Sequence, residues 1–130
     1  MPAMTKKYDI TVKARATFIP EQSDEAEGRY VFAYTITITN TGEVPAQLIS
    51  RHWEIVNSAG EVEEVKGLGV VGQQPFLKPG EAFQYSSGCR LRTPSGTMQG
   101  NYFFVAEDGE RFEVQIPPFI LDDGSHRVLH

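Results

Sequence analysis

An all-β fold built as a two-sheet sandwich is what this sequence predicts, on three observations. Apolar and polar residues alternate along several segments, the period of a half-buried strand. Gly, Pro, Asn and Asp clusters divide the chain into short units, and twelve glycines and eight prolines are more than a helical chain of this length favours. No window of a dozen residues carries a convincing 3.6-residue hydrophobic period.

The elements follow in order. Tyr8, Ile10, Val12, Ala14 and Ala16 share one face of a first strand, with Asp9, Thr11, Lys13 and Arg15 on the other. Residues 21–29 are polar and acidic and form a surface loop. Residues 30–39, YVFAYTITIT, are a second strand of β-branched and aromatic residues with Phe32, Tyr34, Ile36 and Ile38 on one side. Asn40-Thr41-Gly42-Glu43 turns the chain. Residues 46–57 form a third strand that contains Trp53, and residues 61–66 a shorter fourth. Residues 67–80 hold four glycines and two prolines and are expected to be a long loop or irregular edge. Residues 82–89 and 98–106 are the fifth and sixth strands, and Asp108-Gly109 marks a hairpin into the seventh at 111–116. Pro117-Pro118 is expected to stop that ladder, because proline has no N–H to donate. Residues 1–121 thus make one domain, and 122–130 a flexible tail. The pattern is that of an immunoglobulin or fibronectin type III-like β-sandwich of about seven to eight strands, with Trp53 as the core tryptophan.

Composition narrows the function classes. The formal charge is −5, with no basic stripe, so nucleic acid and anionic membrane are disfavoured partners. A single cysteine, Cys89, forbids an internal disulfide, and no apolar run suggests a signal peptide or a membrane span. The expected compartment is the cytoplasm.

Candidate chemistry is sparse. Gly67, Gly69 and Gly72 fit G-x-G-x-x-G, whose glycines let backbone N–H groups approach a pyrophosphate at a helix N-terminus. Here Gln73-Gln74-Pro75 follows and is poor helix material, so the dinucleotide reading fails on context. A backbone nest holding a small anion at Gly67, Gly69 and Gly72 remains as an alternative function. On the third strand Arg51 shares Trp53's face and is forced to the sandwich rim, while His52 points the other way. Arg51 and His52 are the expected flank of a partner surface. His126 and His130 lie in the tail, and Glu61 and Glu63 share a strand face, but no spacing resembles a zinc or EF-hand site. Neither a metal nor a cofactor is expected. Cys89 has no evident activating base nearby and is expected to be a small buried hydrophobe. The chain is therefore expected not to be an enzyme.

Five runs in one order carry a resemblance: Phe32 to Ile38 (FAYTITI), Ser50-Arg51-His52-Trp53, the Gly67-to-Gly72 motif with Gln73-Gln74-Pro75, Pro79-Gly80-Glu81 with Tyr85-Ser86-Ser87-Gly88-Cys89, and Thr97-Met98-Gln99-Gly100. Together they resemble the ApaG family from about Tyr8 to Leu121, with the tail outside the family core. The resemblance implies a fibronectin type III-like sandwich. It also implies a bacterial cytosolic protein linked with cobalt resistance and magnesium efflux, and, from similar domains in eukaryotic F-box and DNA-polymerase-interacting proteins, a role in protein binding. The expected function is a non-enzymatic protein-interaction module with an unknown protein partner. Homodimerisation through sheet edges is the further possibility.

Overall fold

A computed structural model of the chain describes residues 6–125. Eight antiparallel strands form two sheets: β1 (Ile10–Phe18), β2 (Tyr30–Asn40), β3 (Ala46–Asn57), β4 (Val62–Leu68), β5 (Phe76–Leu77), β6 (Ala82–Leu91), β7 (Ser95–Ala106) and β8 (Arg111–Asp122). One sheet has the order β1-β2-β6; the other has the order β4-β3-β7-β8, with β5 paired to β3.

The alternation read from the sequence becomes the core. Phe32, Tyr34, Ile36 and Ile38 on β2 meet Leu48, Trp53 and Ile55 on β3 and Met98, Tyr102 and Phe104 on β7, all buried. Trp53 sits at the centre, edge-on to Tyr34, Tyr102 and Phe119 with ring centroids 5.6, 6.3 and 5.9 Å away. The outer face of the smaller sheet is polar, where Thr35 meets Ser86 at 2.7 Å and Thr37 donates to Gln84 at 3.2 Å.

Local chemistry explains the connections. Asn40 is buried and knots the predicted turn: its side-chain amide donates to the carbonyls of Val44 and Leu77, and its Oδ1 accepts from Gly42 N–H. The acidic loop at 21–29 contains two single 3-10 turns, Pro20–Gln22 and Glu25–Glu27.

Three expectations change. First, β4 runs on through Gly67 and Leu68, and the segment to Gly80 contains β5, so only part of it is loop. Second, β6 and β7 are longer than the alternation suggested, reaching Leu91 and starting at Ser95. Third, Pro117-Pro118 does not end β8. The register shifts between Met98 and Gly100, so the two prolines stand opposite Gln99 in a bulge and pairing resumes from Phe119 to Asp122. Prolines are accommodated there because a bulge and an edge strand need no N–H from them. The tail histidines His126 and His130 lie outside the described residues.

Candidate functional site

On one side of the sandwich β1 packs against β8. On the other side the edges β4 and β6 stand apart around a cleft of about 770 Å³, within the range of ligand sites.

A bulge aims the main cleft residue. The β3–β7 register shifts between Leu48 and Ser50, which resets the alternation so that Arg51, Trp53 and Ile55 face inward and Ser50, His52 and Glu54 face out. Arg51 stands directly opposite Gly67 of β4. Its guanidinium lies where a Gly67 side chain would be, at 2.9 Å from an ideal Cβ position. From there Arg51 Nη1 donates to the carbonyls of Leu68 and Gly69 at 3.0 and 2.9 Å. Among the described residues no carboxylate forms an ion pair with it.

Across the cleft, β2 and β6 present Tyr34, Ser87 and Cys89. Burial pushes the Tyr34 phenol above its usual value, while Ser87 and Arg51 act in the opposite direction. Burial, reinforced by Glu63 on the facing strand, pushes the Cys89 thiol up to about 11. Deeper in, Tyr85 and Tyr102 share a buried 2.6 Å hydrogen bond, and desolvation raises both phenols well above the ordinary range. Four arginines (Arg29, Arg51, Arg90 and Arg92) and three glutamates (Glu27, Glu61 and Glu63) line the cleft. Arg29 is paired with Asp24 and Arg92 with Glu61, each at 3.8 Å, so Arg51 and Arg90 are the cleft arginines without an ion pair among the described residues.

His52 belongs to another surface. On the outer face of the larger sheet it pairs with Glu64 at 2.7 Å, beside a shallow depression of about 540 Å³ that includes Lys66, Leu68, Asn101 and Phe103. Leu68 is 74% exposed there. Arg51 and His52 alternate across the pleat of β3, and both line this depression, while the Arg51 guanidinium also reaches the β4–β6 cleft. Among the described residues, no group of three or more His, Cys, Asp or Glu side chains is placed to hold a metal ion.

Each glycine of the G-x-G-x-x-G run has a local structural reason. Gly67 leaves room for the Arg51 guanidinium. Gly69 has φ +63°, and a Cβ there would overlap the Gln73 carbonyl oxygen. Gly72, at φ +79°, is in the turn Val70–Gln73, which is closed by reciprocal 2.8 and 2.9 Å backbone hydrogen bonds. Val71 beside it has φ +43°, so both central residues have the positive φ of a type I′ hairpin turn. The turn drives Val70 fully into the core. The N–H groups of Gly69 and Val70 donate to the carbonyls of Ile49 and Gln73. The carbonyls of Leu68 and Gly69, not their amides, face the nearest cation.

The comparisons agree with this architecture. The family model described as the ApaG domain matches residues 20–106. The chain belongs to the ApaG family. Protein ApaG of Aromatoleum aromaticum is 63% identical over 126 residues, covering 97% of this chain and 98% of that protein. Protein ApaG of Nitrosospira multiformis is 60% identical over 125 residues, 96% of this chain and 97% of its own length. A crystal structure of a Bordetella pertussis protein described as ApaA is 56% identical, covers 94% of this chain and 99% of that one, and superposes with a TM-score of 0.91. An alignment of 126 residues takes the likeness past Leu121 into the segment read as a tail.

Chemically, the cleft of this ApaG domain offers the Arg51 guanidinium with three further arginines around it, hydroxyl donors and an aromatic floor. Its phenols and thiol hold their protons at neutral pH. Such a set recognises and orients. Tyr34, Ser87 and the rim arginines were not legible as site residues in the sequence, because only the stacking of the two sheets brings β6 opposite β4.

Proposed function

We propose that this ApaG domain is a non-enzymatic protein-interaction module, acting in the cytoplasm on a protein partner and not on nucleic acid. The observation that carries the reading is the β4–β6 cleft. It holds the Arg51 guanidinium, which has no carboxylate partner among the described residues, beside a thiol and phenols that stay protonated, while the only described histidine, His52, lies on the opposite face of its strand. Recognition needs fixed donors, whereas acid–base chemistry needs a group poised near the working pH. The link of the family with Co²⁺ resistance and Mg²⁺ efflux supports a partner that takes part in divalent-cation handling.

The test is a capture experiment joined to a growth assay. Immobilised wild-type domain is expected to retain a partner from a bacterial lysate that Arg51→Met does not retain, and only the wild-type gene should restore Co²⁺ tolerance to a deletion strain. Equal retention and equal tolerance with Arg51→Met would remove the cleft from this reading.

The second reading, a small anion held by Gly67, Gly69 and Gly72, has less support. The amides of Gly69 and Val70 already donate within the protein. Inorganic pyrophosphate should therefore leave the amide resonances of Gly67 to Gly72 unmoved in an NMR titration. Saturable shifts there would restore the anion reading.

A further inference from the structure

A sheet edge exposes N–H and C=O groups that can pair with another chain, and native proteins guard such edges with charge, proline, bulges or cover. Besides the two-residue β5, the described residues form four edge strands, guarded unequally. On β8, Pro117 and Pro118 sit in a bulge and β1 packs alongside. On β1, Lys13 and Arg15 provide charge. On β4, Glu63, Glu64 and Lys66 do the same, and the Arg51 guanidinium covers the carbonyls of Leu68 and Gly69. On β6, the run Gln84–Cys89 has no charge, no proline and no bulge, and its pairing with β2 is unbroken from Ala82 to Leu91. Ser86, Ser87 and Gly88 are exposed.

The alternation of the ladder says which groups are open. Asn40 donates to Glu81 O and accepts from Gly80 N–H, which points even-numbered β2 residues toward β6; Val31 accepts from Ile19 N–H, which points odd-numbered ones toward β1. In an antiparallel ladder this parity persists along the strand. Phe83, Tyr85, Ser87 and Cys89 therefore bond to β2, and Gln84, Ser86, Gly88 and Arg90 turn their N–H and C=O groups to the open edge. That edge forms one wall of the arginine-rich cleft, with Arg51 across from it.

We propose that β6 is the docking edge of the domain: an extended acidic segment of a partner protein adds as a strand along Gln84 to Arg90, and its alternate acidic side chains enter the cleft toward Arg51. This rests on the interaction-module reading and specifies its geometry. Main-chain pairing supplies affinity and the cleft supplies selectivity, the division of labour in β-strand addition. Acidic side chains are selected because Arg51 and Arg90 line the cleft and, among the described residues, neither has a carboxylate partner.

The test selects peptides from a random phage-displayed library on the immobilised full chain, then measures a fluorescein-labelled winner by anisotropy. The winners are expected to be rich in Asp and Glu alternating with β-branched or aromatic residues. Arg51→Met should weaken binding roughly tenfold or more, as loss of a charged hydrogen bond does. Ser86→Pro, which removes an edge N–H, should abolish binding. N-methylation of alternate peptide amides should abolish it in one parity and spare it in the other, a readout that needs no variant of the domain. Failure to select acidic peptides, indifference to the parity of N-methylation, or binding that maps to the His52–Leu68 face would overturn edge docking; a partner still captured from lysate would then leave the interaction module standing. Self-association that Ser86→Pro abolishes would give the edge to a second copy of the chain and also overturn the proposal.

Discussion

Gly67 shows how one residue can be legible and misleading together. The sequence marks it as part of a phosphate-binding pattern, but its lack of a side chain makes room for the guanidinium of Arg51, its partner on the neighbouring strand. Gly67→Ala should displace Arg51 from the Leu68 and Gly69 carbonyls and cost about 1–3 kcal/mol in urea denaturation. Val71 gives the opposite prediction. A β-branched residue at φ +43° on an exposed turn is strained, so Val71→Asn should raise stability by roughly 1 kcal/mol, measured as a higher melting temperature. Cys89 was expected to be a small buried hydrophobe, and the structure makes it half-buried with a thiol raised to about 11 from an ordinary 9.0. A group whose folded pKa is raised contributes stability that is complete below its unfolded value and is lost as pH rises through the folded one. The domain should therefore lose stability between about pH 9 and 11 in pH-jump unfolding, and Cys89→Ala should soften that fall. An unchanged profile would mean that the thiol is better hydrated than its surroundings imply.

At the scale of elements, the strands were readable because alternation and turn chemistry act over a few residues. β2 and β3 were found almost to the residue, and the Asp108-Gly109 hairpin fell where expected. The misses share one cause. Whether Pro117-Pro118 ends a strand depends on what lies opposite, and Gln99 lies opposite in a bulge. Likewise β5 exists because Ala46 and Gln47 of β3 have an open edge to offer it. Neither fact is local in sequence. The β6 ladder yields a paired prediction. Ser87→Pro removes an N–H that bonds to β2 and should leave little folded protein. Ser86→Pro removes one that faces the open edge and should keep the wild-type circular dichroism spectrum and most of the melting temperature. Equal damage from both would contradict the assigned parity.

For the whole molecule, the two-sheet architecture was legible and the site was not. The cleft takes Arg51 from one sheet and Tyr34, Ser87 and Cys89 from the other, and its rim charges from strand ends far apart in the chain. Alternation puts Arg51 on Trp53's face, as in the folded strand, but nothing in the sequence says which strands gape and which close. Arg51 and His52 both border the shallow depression on the outer face of the larger sheet, and only Arg51 also lines the cleft. Charge at the cleft adds a prediction at this scale: partner affinity should fall as salt rises from low to physiological strength, since the rim arginines are exposed to screening, with Arg92 on the rim paired only at 3.8 Å to Glu61. The central claim is that partners dock at the β6 edge of the cleft. The direct measurement is residue-resolved amide hydrogen exchange of the domain alone and with the captured partner. The account predicts strong slowing at Gln84, Ser86, Gly88 and Arg90, with Phe83 and Tyr85 already slow in the free domain. Slowing centred on Ser50, His52 and Leu68, with β6 unaffected, would contradict it.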